Sequence, residues 1–176
     1  MEKLTVSTAD ELREVLIEHE VPVESYGHGA AKTLGHLFEE IQLGECVLSI
    51  EDGKLVRRTT VLCLNIYKDE FVLVEDKQVF TADKRTRHRT LDASTGEKMK
   101  YGENPIETAQ RLIEEEMPFA WGYPVTFKET RTRQKESLSY PGLATLYELH
   151  FCEVTIPENE IPDVVVVEAD KTAFYR

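Results

Sequence analysis

The sequence predicts an α/β domain, and three observations predict it. β-branched apolar runs surround an Asp52-Gly53 turn, a carboxylate-rich helical pattern follows Pro105, and two helical patterns precede the strands. With 176 residues the chain is long enough for one domain with a real core. Its 41% hydrophobic and 31% charged residues are those of a soluble globular protein. A net charge of −12 argues against general nucleic-acid or anionic-membrane binding, which draws on Lys and Arg. No apolar run reaches the length of a membrane-spanning helix. The start, MEKLTVSTADELREV, lacks a signal peptide's basic-then-apolar order and is too acidic for a transit peptide, so the expected location is cytoplasmic. Cys46, Cys63 and Cys152 are scattered in strand-like runs and read as buried free thiols.

The first helix opens at a capping-box pattern, Thr8 and Glu11, continues through Leu12, Val15 and Leu16, and ends before Pro22. A second is expected from Ala30 to Leu43, with Ala30, Leu34, Leu37, Phe38 and Ile41 as its apolar positions and Gly44 as its C′ residue. Between them His28 and Lys32 suggest an anion site, although a solvated loop and helix face explain them more cheaply. Residues 45–50 form the first strand, and Asp52-Gly53 turns the chain back into RRTTVLCLNIY, a central strand. FVLVE, residues 71–75, is the third. Residues 118–124, PFAWGYP, are a turn-rich aromatic segment. Trp121 and Tyr123 there can stack on a planar ligand, but closing the core under a loop is the favoured reading. An extended segment from Val125 to Arg133, a turn at 139–142 and a last strand from Leu143 to Ile156 complete the pattern. On that strand His150 is a weak candidate base, and a histidine satisfied by a neighbour is the plainer reading.

The helix after Asn104-Pro105 carries most of the chemistry. Asn104 suits the N-cap and Pro105 the first turn. Ile106, Ala109, Ile113 and Met117 mark a buried stripe with Leu112 beside it. Glu114, Glu115 and Glu116 stand in a row near the C-terminus, where the helix dipole disfavours anions. A divalent cation would relieve that repulsion, and a solvated acidic face is the alternative.

Glu103, Arg111, Ile113, Glu115 and Glu116, with Gly102 and Pro105, resemble the Nudix box: G, five residues, E, seven residues, then R-E-hydrophobic-x-E-E-x-G. The match covers about one eighth of the chain. Three positions depart from it. Leu112 stands where the box has its first helical Glu, Pro118 where it closes on Gly, and Glu97 at the leading Gly. The run QVFTADKRTRHRTLDASTGEKMKYGENPIETAQRLIEEEM with the later SLSYPGLATLYELH is similar to a largely uncharacterised Nudix-like group of plants, algae and some bacteria. That resemblance extends roughly from Tyr26 to Pro157.

The resemblance implies a mixed sheet packed between helices, residues 45–176, with residues 1–44 as an added helical extension. It implies hydrolysis of a diphosphate-linked (nucleoside diphosphate-X) substrate with Mg²⁺ or Mn²⁺ on Glu115 and Glu116. Glu103 would be an outer ligand or base, and Arg111 would orient the carboxylates. Cations in the preceding loop, Arg85, Arg87 and Arg89, with Lys98, would hold phosphate oxygens; a solvated loop is the alternative. The implied partner is a small phosphorylated molecule, and a homodimer is left open. Leu112 favours a second function: a catalytically impaired Nudix-fold module that binds a nucleotide, a phosphorylated metabolite or a protein. A scaffold that uses the acidic helix as its contact is a third. On this view weak Mg²⁺ affinity is expected, and Leu112→Glu should strengthen metal binding.

Overall fold

The computed structural model describes residues 2–82, 84–88, 93–157, 165–167 and 171–176, and these form an α/β protein. Its contacts divide into two compact units. The first holds residues 1–61, 98–102 and 131–149; the second holds 62–97, 103–130 and 150–176.

In the first unit α1 runs Ala9–Glu18. Thr8 caps it, accepting from the Glu11 N–H at 3.1 Å, and the Glu11 carboxylate accepts from the Ser7 N–H at 2.7 Å. Helix α2 spans Leu34–Gln42, so the expected start at Ala30 is four residues too early. The loop before it is held open instead: the Lys32 N–H donates to the Ser139 carbonyl at 2.8 Å. Thr33 then takes the cap in a reciprocal pair with His36. Gly44, at φ +74°, ends the helix as expected.

Strand β1 is Glu2–Leu4, β2 is Val47–Glu51 and β3 is Lys54–Lys68. The sequence reading missed β1, which pairs antiparallel with β2. The β2–β3 hairpin turns on Asp52 and Gly53, both at positive φ, the two-residue geometry that the dipeptide signals. The core of this unit joins the helices to the strands through Val6, Leu12, Leu16, Leu37, Leu48, Tyr140 and Leu143. At roughly 1.5–3 kcal/mol for each fully buried large aliphatic, that cluster is a substantial driving force.

The second unit continues β3 with Leu62, Leu64 and Ile66, all at 0% exposure. The expected strand at 71–75 is split. Phe71–Val72 (β4) pairs with β3, and β5 begins only at Glu75 and runs to Phe80. The cause is a change of partner: the Val74 N–H donates to the Arg176 carbonyl, and the Arg176 N–H returns the bond. The chain thus leaves β3 for a four-stranded sheet ordered β10-β11-β5-β6, where β6 is Thr86–Arg87, β10 Val165–Val167 and β11 Lys171–Tyr175.

Thr95–Lys98 (β7) pairs with β3. Helix α3 is Pro105–Glu116, and the long strands β8, Val125–Glu136, and β9, Ala144–Thr155, follow. Cys46, Cys63 and Cys152 are buried. Among the described residues, no helix is long and apolar enough to cross a membrane.

Candidate functional site

Helix α3 starts where the sequence places it. The Asn104 side chain accepts from the Ile106 N–H at 2.8 Å, and Pro105 occupies the first turn. Ala109 and Met117 are at 0% exposure, Leu112 at 1% and Ile113 at 2%. Ile106, expected in that stripe, is 36% exposed, because it sits in the first turn before the helix meets the core.

Arg111 is the hub of the site. Its Nη1 lies 2.5 Å from Glu97 Oε1 and 3.9 Å from Glu115 Oε2, and its Nη2 lies 3.5 Å from Glu103 Oε2. The Glu97 hydrogen bond, followed by the nearby charges of Glu97, Glu103 and Glu115, pushes the guanidinium pKa above its ordinary value. Glu103 is held in turn by the Thr108 hydroxyl at 3.4 Å. Glu97 Oε2 is buried and has no hydrogen-bond partner among the described residues. Glu116 is half-buried at the last position of α3.

The expected site residues do not all gather here. Arg111, Glu103 and Glu115 come together, joined by Glu97, which stands at the leading Gly position of the box. Lys98 belongs to the first unit, where it pairs with Glu40 at 2.8 Å and Glu45 at 3.1 Å. Arg85 and Arg87 gather around Phe80, their guanidinium carbons 4.9 and 5.4 Å from the ring centroid. Arg87 also donates to Gln78 Oε1 at 2.6 Å. Arg89 lies outside the described residues. Lys32 is tied to Glu40 at 2.8 Å rather than presented with His28 to an anion. His150 Nδ1 is 2.8 Å from Thr130 Oγ1, the neighbour-satisfied arrangement.

Among the described residues, no three or more His, Cys, Asp or Glu side chains are placed to hold a metal ion. The carboxylates converge on a guanidinium instead. Leu112 is core, so a carboxylate at that position would point into apolar packing rather than toward water.

Beside α3 lies a groove of about 690 Å³. Glu107, Gln110, Arg111 and Glu114 recur at three- and four-residue spacing and form one wall. Trp121, Tyr123, Pro124 and Val125, from the segment after α3, line the groove too. Trp121 is 67% exposed, so the expectation that it closes the core is overturned. The turn after α3, at Pro118–Ala120, buries Ala120 and turns the indole outward. The carboxylates of this wall had a sequence signal in their spacing; the indole's exposure had none.

No protein-family model matches the chain, and no curated protein matches it.

Proposed function

We propose that this chain is a Nudix-like binding module whose carboxylate set is closed by its own arginine, and that it takes up a small molecule beside α3. One observation carries this reading: Glu97, Glu103 and Glu115 surround Arg111. A guanidinium there already supplies the positive charge that such carboxylates demand, through charge-assisted hydrogen bonds. A divalent cation would have to displace those contacts, and with Leu112 in the core it would gain no oxygen from that position.

The rival reading, a Mg²⁺- or Mn²⁺-dependent hydrolase of a diphosphate-linked substrate, is favoured by a different observation. Among the described residues Glu97 Oε2 has no hydrogen-bond partner, which leaves one oxygen for a cation. Phosphate release across a panel of nucleoside diphosphate compounds, with Mg²⁺ or Mn²⁺, separates the two. The binding module predicts no release above background. Robust release that disappears in Glu116→Gln would overturn it in favour of the hydrolase.

A further inference from the structure

We infer that the groove beside α3 binds an organic cation, a methylated ammonium group seated on Trp121 under the field of Glu107 and Glu114. This rests on the binding-module reading and adds the chemical class of its ligand.

The wall chemistry points that way. Helix α3 carries four glutamates and one arginine, and that arginine is already engaged by three carboxylates. Among the described residues, Glu107 and Glu114 have no ion-pair partner, and both are exposed. They stand two helical turns apart, about 10 Å along the axis, so they flank the groove rather than chelate at one point. A phosphate at either carboxylate would meet like charge and a cation opposite charge, the Arg111 guanidinium between them being engaged by Glu97, Glu103 and Glu115.

The same groove is lined by an indole held in the open. A large aromatic at 67% exposure covers no core, and its electron-rich face attracts a cation that sheds its water easily. Methylated ammonium groups do so, because methyl groups bury well against the ring while the charge interacts with both ring and carboxylates. Pro124 and Val125, which also line the groove and keep accessible surface, offer apolar contact for the methyl groups. A volume of about 690 Å³ is ample for such a headgroup with a short substituent.

Trp121 is the chain's only tryptophan, so its emission reports the groove directly. The test titrates the full chain with choline, with its neutral isostere 3,3-dimethyl-1-butanol, and with inorganic diphosphate. Choline should shift the emission saturably, the isostere should bind at least about tenfold more weakly, and diphosphate should give no saturable change. The Glu107→Gln/Glu114→Gln double variant should weaken choline at least about fivefold at an unchanged melting temperature, because both residues are exposed. Trp121→Ala, followed by calorimetry, should abolish binding. Equal binding of the isostere, choline binding indifferent to the double variant, or no saturable choline binding would each overturn the inference. Its failure is distinct from that of the binding module. Phosphate release that needs Glu116 would remove the module and leave a choline result standing; silence toward choline without phosphate release would do the reverse.

Discussion

Two charge clusters in this chain are inverses of each other. In the first unit one carboxylate, Glu40, is 6% exposed and meets three cations: Arg57 at 2.6 Å, and Lys32 and Lys98 both at 2.8 Å. In the second unit one guanidinium, Arg111, meets three carboxylates, but its side chain is 37% exposed. Arg57 is itself 3% exposed and stacks on Tyr140, 5.1 Å from the ring centroid. The Glu40–Arg57 pair is therefore part of a core, where each charge has to be matched inside the protein. The Arg111 set is partly exposed, and solvent screens its pairs in part. Burial, rather than the number of partners, should decide which cluster holds the fold and which can be rearranged without unfolding it.

Glu40→Ala is the harshest test of that contrast. It strands Arg57 with no buried anion, and urea denaturation should show a loss of about 3–5 kcal/mol. Replacing both partners, Glu40→Met with Arg57→Leu, should recover most of that loss, because an apolar pair leaves no uncompensated charge. Leu112→Glu should cost about 3 kcal/mol or more by the same measurement, since it drives a carboxylate into a site at 1% exposure. A stable Leu112→Glu variant with enhanced Mn²⁺ binding would instead restore the metal reading.

Acid separates the clusters more gently. Burial pushes the Glu40 pKa up, but hydrogen bonds from Lys32 and Lys98 and the charge and hydrogen bond of Arg57 outweigh it. The group falls from its ordinary 4.5 to about 2. A carboxyl with a depressed folded-state pKa contributes stability above its unfolded value and loses it as pH falls through the folded one. Stability should therefore decline between about pH 4.5 and 2, by on the order of 3 kcal/mol from this group. In Glu40→Gln that part of the decline should vanish from a pH series of thermal melts. Arg111→Met should have the smallest effect on stability, about 1 kcal/mol, because its pairs are partly exposed.

The elements most legible in the sequence were those set by local chemistry. Asn104-Pro105 fixed the start of α3, Asp52-Gly53 the hairpin, and Thr8 with Glu11 the first cap, because each acts through backbone groups a few residues away. What depended on distant partners was not legible. Glu40 lies on the same α2 face as Leu37, yet nothing local announces that Arg57, Lys32 and Lys98 will converge on it. The polar run EDKQVF gives no alternation that marks β5, whose pairing comes from β11 near the far end of the chain. At the site, Glu103, Arg111 and Glu115 were readable from spacing. Glu97 joined them only through tertiary folding, and Lys98, its neighbour in sequence, went to Glu40.

The most direct test of Arg111 as the cation of its own carboxylate set is a Mn²⁺ titration, read by calorimetry, on wild type and Arg111→Met side by side. The wild type should give no saturable binding. Arg111→Met, with Glu97, Glu103 and Glu115 released from the guanidinium, should gain measurable affinity. Tight, saturable Mn²⁺ binding by the wild type, lost in Glu116→Gln and not improved by Arg111→Met, would contradict that account.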